Sequence, residues 1–216
     1  FLDNHDYNLA HHSIEAMVAV GSKQTLKASA GNAFSQLKSF FEEKQDWLFG
    51  HLGYDLKNEV ESISSSHPDG IGFPDLFFFV PEIVMWLNNG NLSIHSNLFS
   101  SERIIEELNS IKSNSARPTK PIEIEQRFSK EEYISTVRQL QKHILRGDCY
   151  EINYCQEFFD ENIIIDPVST YMRLIEISPT PFSCYYRLEN KYLLCASPER
   201  FLSKTGNTIF SQPIKG

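Results

Sequence analysis

Glu199 and Lys215 are the two residues of this sequence whose types and spacing best suit joint chemistry. Each stands beside a proline turn, Ser197-Pro198-Glu199-Arg200 in one case and Ser211-Gln212-Pro213-Ile214-Lys215-Gly216 in the other, and they are sixteen residues apart. One expected hairpin links the turns, so both side chains can face a common cleft. A carboxyl group and an amine so placed suit acid-assisted departure of a leaving group, with the lysine as nucleophile or base. The amine must lose its proton to attack, and removal from water favours that loss. Pro213 fixes φ and Gly216 admits conformations closed to other residues, which would aim Lys215 rather than leave it to wander. The competing reading is a solvated lysine and a structural Glu199, paired with Arg200 or with a neighbouring backbone N–H at a strand start. Structural pairs outnumber catalytic ones, so the rest of the chain has to decide.

The elements that would carry this pair follow from periodicity and turn chemistry. Strands are expected over 182–188, 192–196, 200–204 and 207–210, with turns at Glu189-Asn190 and Gly206-Asn207. Upstream, Ser129-Lys130-Glu131-Glu132 is a capping box that opens a helix to Arg146, and Gly147 supplies its left-handed stop. Residues 150–155 alternate as a strand, with Glu151 and Asn153 opposite Tyr150 and Ile152. Asp166-Pro167 opens a helix to about Ile177, with Val168, Tyr171, Met172 and Ile175 on one stripe.

In the first half, strands over 14–20 and 24–28 are expected to pair around Gly21-Ser22. A helix to about Lys44 follows, with Asn32 as N-cap and Phe34, Leu37, Phe40 and Phe41 on one face. Further strands are expected at 47–54, 76–80, 83–87 and 92–95, the last two joined by Asn88-Asn89-Gly90-Asn91. A helix over 101–113 would turn Ile104, Ile105, Leu108 and Ile111 inward. The polar, proline-bearing stretch 114–121 is the best boundary, dividing an N-terminal region, 1–120, from a catalytic region, 121–216. Many antiparallel strands with interspersed helices, and no regular βαβ alternation, define an α+β fold.

Composition narrows the partners. A formal net charge of −8 argues against nucleic acid and anionic membrane, though a pocket can still be locally basic. The most apolar stretch, 76–87, contains Pro81 and Glu82 and is too short to cross a bilayer, and no signal peptide is visible. Cys149, Cys155, Cys184 and Cys195 have no C-x-x-C spacing and read as free, buried thiols of a cytoplasmic protein. There is no H-E-x-x-H, and the His11-His12 pair has no partner at ligand spacing, so zinc is not expected. Phe1 is not an initiator methionine and Gly216 follows no natural stopping point, so the chain reads as a piece of a longer one.

Four motifs in order carry a resemblance: Gly147-Asp148-Cys149-Tyr150-Glu151-Ile152-Asn153, Ser178-Pro179-Thr180-Pro181-Phe182, Ser197-Pro198-Glu199-Arg200-Phe201 and Pro213-Ile214-Lys215-Gly216. Together they resemble the chorismate-utilising enzymes, most specifically the component I subunits of aminodeoxychorismate synthases. Gly53-Tyr54-Asp55-Leu56 and the proline-flanked segment 76–84 are similar to that family's N-terminal portion. The resemblance implies two large antiparallel sheets packed as a sandwich with flanking helices, only partly covered in a chain of this length.

It also implies a reaction, in which chorismate and ammonia give 4-amino-4-deoxychorismate on the way to p-aminobenzoate and folate. A glutamine amidotransferase subunit would supply the ammonia. Matched by motif, Lys215 is the nucleophile that adds to the ring as the C4 hydroxyl leaves, Glu199 assists that departure, and Ile214 and Gly216 border the substrate. Anthranilate synthases of this superfamily usually carry a small residue where Lys215 stands. Water-adding relatives place a lysine base at the position of Glu151, where ammonia-using members more often carry glutamine. The Ser178–Phe182 motif resembles the Asn-Pro-Ser-Pro-Tyr element that lines a tryptophan site in relatives, which makes Pro179, Pro181 and Phe182 regulatory-site candidates. Ser178 and Phe182 depart from that element, and a plain turn before a strand is the competing reading. Magnesium is implied for the longer enzyme, with ligands beyond residue 216, so these residues alone are expected neither to turn over chorismate nor to bind it tightly. The competing functions are anthranilate synthase component I and a non-catalytic module that binds a partner or a regulatory amino acid.

Overall fold

A computed structural model describes residues 1–7, 14–112 and 122–214. The elements run β1 (Leu2–Asp3), β2 (Ala16–Val20), β3 (Gln24–Ala28), α1 (Ala33–Lys44), β4 (Phe49–Leu52), a 3-10 helix (Tyr54–Glu59), β5 (Leu76–Val80), β6 (Ile83–Asn88) and β7 (Asn91–Ser96). They continue with α2 (Ser101–Ser110), β8 (Glu125–Gln126), α3 (Lys130–Arg146), β9 (Phe158–Phe159), α4 (Pro167–Ile177), β10 (Phe182–Leu188), β11 (Lys191–Ser197), β12 (Arg200–Thr205) and β13 (Thr208–Gln212). The fold is α+β, and every strand pairing is antiparallel. The chain forms two compact units, Phe1–Asn114 with Pro167–Gly216, and Ser115–Asp166. The boundary expected at 114–121 and the His11-His12 pair lie outside the described residues.

In the larger unit a six-stranded sheet has the order β11-β10-β1-β2-β6-β7, and a three-stranded sheet has the order β3-β5-β4. Strand 14–20 was expected to pair with 24–28 around Gly21-Ser22, and the structure corrects this. β2 pairs with β1 and β6, whereas β3 pairs with β5. The β2–β6 ladder ends at Val20↔Ile83, and the β3–β5 ladder begins at Gln24↔Val80. Between them Glu82 N–H donates to Val20 O at 3.1 Å and Lys23 N–H to Val80 O at 2.9 Å. One antiparallel ribbon therefore bends through a corner, with Gly21–Ser22–Lys23 on one side and Pro81–Glu82 on the other, and each of its strands changes sheet there. Gly21 has φ +73°, and a Cβ on it would lie 2.8 Å from Glu82 Cβ, so glycine is what lets the two halves of the corner close.

Alternation along the strands sorts residues to faces. On β5, Leu76 (0% exposed) packs with Ala28, Ala33 and Leu56 beneath α1, while Phe77 and Phe79 point to the opposite face, toward the six-stranded sheet. α4 covers the other side of that sheet, with the buried Tyr171 edge-on to the rings of Phe1 and Tyr185 at 6.2 and 5.6 Å. The result is a layered unit: α1, the small sheet, an inter-sheet space, the large sheet, α4. The expected stripe on α4 is half right, because Val168 and Met172 are exposed.

Several local expectations also change. Asn32 occupies the N-cap position of α1, but its side chain makes no capping bond and instead accepts from Gln36 Nε2. The cap comes from Glu59, whose carboxylate accepts the N–H groups of Gly31, Ala33 and Phe34 at 3.1, 2.8 and 3.2 Å. Desolvation pushes the Glu59 carboxyl upward, but the three backbone donors outweigh it and hold it below its ordinary value. The strand expected over 47–54 is β4 alone, and the chain then turns into the 3-10 helix at Gly53, whose N–H donates to Asp75 O at 2.6 Å. In α2 only Ile104 is buried; Ile105, Leu108 and Ile111 are exposed.

In the smaller unit the capping box forms as expected: Ser129 Oγ accepts Glu132 N–H at 3.2 Å and Glu132 Oε2 accepts Ser129 N–H at 2.8 Å. Gly147 closes α3 with φ 86°. Residues 150–155 are not a strand: alternation makes a strand only where a neighbour supplies a ladder, and no ladder among the described residues includes them.

Candidate active site

Glu199 lies where β11 ends and β12 begins, and β12 folds back on β13 with Arg200 opposite Gln212. That register brings the chain after Gln212 alongside Glu199. Glu199 Oε1 accepts the backbone N–H of Ile214 at 2.9 Å. Its own N–H donates to Ser197 Oγ at 3.2 Å, which fixes the turn around Pro198. The carboxylate is therefore held by a backbone donor, as the structural reading of the sequence allowed, but by one across the hairpin rather than a neighbour. Of the residues assigned to the substrate, Ile214 is exposed and joined to Glu199. Lys215 and Gly216 lie outside the described residues.

The same end of the large sheet carries the proline motif. Phe182 is paired with Ser197 across β10 and β11, and the Arg200 guanidinium sits 5.1 Å from the Phe182 ring centroid. Arg200 is 8% exposed, so this cation is an internal support of the turn that holds Glu199. Pro181 and Phe182 line a cavity of about 170 Å³ with Leu2, Asn4, Met17 and Ser183. Pro179 stands outside that lining, and its carbonyl accepts from the Tyr7 hydroxyl at 3.4 Å.

Sequence reading found no local Ser/His/Asp motif, yet the fold brings such residues together beside this cavity. His5 Nε2 is 3.0 Å from Ser183 Oγ, and His5 Nδ1 stands 3.8 Å from Asp3 Oδ2. Ser183 is wholly buried and its hydroxyl donates to Thr180 O at 3.1 Å. That oxygen is engaged by His5 Nε2, Thr180 O and Thr180 Oγ1, so the cluster ties β1 to the proline motif. Neither Asp3 nor His5 stands out in the sequence, and Ser183 lies 178 residues from His5.

No group of three or more His, Cys, Asp or Glu among the described residues is placed to hold a metal ion. No described helix is long and apolar enough to cross a membrane.

A pair of antiparallel sheets with a carboxylate held against Ile214 is the setting in which the sequence comparisons become specific. The chain matches the family described as chorismate binding enzyme over residues 3–216 and belongs to that family. Its relatives include anthranilate synthase component 1 of Thermus thermophilus, 27% identical over 182 residues that cover 78% of this chain and 39% of the relative. Aminodeoxychorismate synthase component 1 of Bacillus subtilis is 24% identical over 191 residues, covering 82% and 40%, and that of Escherichia coli is 26% identical over 176 residues, covering 80% and 38%. The crystal structure of anthranilate synthase component I from Streptococcus pneumoniae superposes with a TM-score of 0.71 at 19% identity, covering 94% of this chain and 55% of that one, which establishes the fold. The chain thus spans about 40% of the length of the curated relatives it matches.

Proposed function

We propose that this chain supplies the acid and the nucleophile with which a chorismate-utilising enzyme replaces the C4 hydroxyl of chorismate by ammonia, giving 4-amino-4-deoxychorismate. The observation that carries the reading is the hydrogen bond from Ile214 N–H to Glu199 Oε1. The carboxyl group is thereby joined to the residue that precedes Lys215 in the sequence, which supports the reading. In the proposed sequence the neutral Lys215 amine adds to the ring while Glu199 gives a proton to the departing C4 hydroxyl, which leaves as water. Ammonia then displaces the lysine, the C–N bond to Lys215 breaks, and the proton shed by the incoming nitrogen returns to Glu199, so that both the amine and the acid are restored for another turnover. Ammonia would come from a glutamine amidotransferase subunit, and magnesium would take its ligands from residues outside this chain.

Relatives of both names match at similar identity, so anthranilate formation is the second reading. Lys215 favours the first. Product analysis of the full-length protein with chorismate, ammonia and magnesium separates them: 4-amino-4-deoxychorismate supports the proposal and anthranilate overturns it. Lys215→Ala is expected to abolish 4-amino-4-deoxychorismate formation. If the variant keeps it, the nucleophile assignment fails, and a protein inactive in either reaction would be a binding module.

A further inference from the structure

The space between the two sheets is a cavity of about 640 Å³, within the range of small-molecule sites. One wall is Phe49, Phe77 and Phe79 of the small sheet, the other Met17, Tyr186 and Leu193 of the large one. The rings form a continuous series, with Phe49–Phe79 centroids 6.1 Å apart and Phe77–Phe79 6.2 Å apart. His51 and Tyr186 place polar heads in this wall. His51 Nε2 is 2.8 Å from Pro74 O, a pure acceptor, so this nitrogen carries the proton and Nδ1 is the acceptor. The Tyr186 hydroxyl, 3.1 Å from Nδ1, must therefore donate to it. Its oxygen keeps lone pairs that can accept a further hydrogen bond. Burial raises the Tyr186 hydroxyl to about 12, so it stays protonated.

The charge of the lining decides what else can enter. Arg187 is the one Asp, Glu, Lys or Arg side chain among its lining residues, and that guanidinium donates to Glu189 O at 2.9 Å and lies over the Tyr192 ring. An anion would give up its water here for a single cation that is already engaged, which costs several kcal/mol. A dianion such as chorismate would meet that cost twice over. The ring-lined walls favour a flat aromatic body, and the free lone pairs on Tyr186 favour a hydroxyl or N–H donor on it.

We propose that the inter-sheet cavity is a second ligand site, taking an uncharged planar aromatic molecule that donates a hydrogen bond to Tyr186. The proposal is independent of the chorismate reading, since none of Glu199, Ile214 or the Pro179–Phe182 motif lines this space.

Calorimetric titration of the full-length protein with 2-naphthol tests it, with 2-naphthoate as the charged counterpart. Saturable binding of 2-naphthol at one site is expected, with Kd on the order of 0.1 mM, and 2-naphthoate is expected to bind at least roughly tenfold more weakly. Tyr186→Phe keeps the ring and removes the acceptor, and should weaken 2-naphthol about tenfold. Leu193→Trp fills the space and should abolish binding whether or not Tyr186→Phe folds, with circular dichroism confirming that each variant tested is folded. Absence of saturable 2-naphthol binding, equal affinity for 2-naphthoate, or an unchanged Kd in folded Leu193→Trp or folded Tyr186→Phe would each overturn it.

Discussion

Glu199 and Ile214 are joined by a side-chain to backbone hydrogen bond of 2.9 Å that closes the hairpin of β12 and β13 at its open end. A carboxylate oxygen that anchors the chain leaves the other oxygen for a substrate. Glu199→Gln preserves an amide oxygen for Ile214 and removes the acid. In the full-length enzyme this variant is expected to lose roughly 10²–10⁴ in kcat with KM for chorismate little changed. Glu199→Ala removes both functions and should raise KM as well. Steady-state kinetics that show Gln behaving like wild type would remove Glu199 from the chemistry.

The cap on α1 predicts a pH dependence. Glu59 is held below its ordinary value of 4.5 by three backbone donors that outweigh desolvation. A depressed carboxyl contributes stability that is fully present above the unfolded-state value and is lost as pH falls through the folded-state value. Glu59→Gln should therefore lower the melting temperature at pH 7, and the gap from wild type should narrow as pH falls below the ordinary carboxylate range. Thermal denaturation monitored by circular dichroism across this range checks the sign. A gap that widens on acidification would contradict it.

Gly50 sits in β4 where a Cβ would run into the backbone carbonyl of Phe77 on the neighbouring strand. Backbone cannot move aside as a side-chain tip can. Gly50→Ala should cost about 3 kcal/mol or more by forcing β4 from β5, and it should open one wall of the inter-sheet cavity. Chemical denaturation gives the energy. A cost below about 0.5 kcal/mol would show that β4 relaxes freely.

The four thiols should react in an order set by burial. Cys155 is exposed, whereas desolvation raises the Cys184 and Cys195 thiols above their ordinary value and leaves them protonated near neutrality. A disulfide reagent at pH 7 should modify Cys155 first and Cys184 and Cys195 slowest, with mass spectrometry reading the order. Fast modification of Cys184 in folded protein would mean that the inter-sheet space opens readily.

What the sequence made legible was whatever depends on neighbours a few residues apart. The Ser129–Glu132 capping box and the Gly147 stop set both ends of α3 by contacts within one turn. β3, β5 and β10 have the expected limits because alternation and flanking turns are local. The distribution of strands between two sheets was not legible, since it rests on pairings such as Val20↔Ile83 and Gln24↔Val80. Asn32 takes the expected N-cap position of α1, but the capping bonds come from elsewhere for the same reason: Glu59 reaches Ala33 from 26 residues away. In the candidate site, the motif residues identified Glu199, but its bond to Ile214 depends on the β12–β13 register. Tyr150–Cys155 shows the converse, a sound local pattern that no ladder among the described residues takes up.

The corner at Gly21–Lys23 and Pro81–Glu82 has a kinetic meaning as well as a geometric one. Bringing Val20 to Ile83 closes a loop of about sixty residues, and that entropy is spent once for both sheets because the same ribbon continues into each. The β6–β7 and β10–β11 hairpins can zip locally, but neither large-sheet nor small-sheet order persists until the ribbon is in place. The two sheets therefore nucleate and dissolve as one cooperative body, and a probe in α1 and another on β7 should report a single unfolding rate.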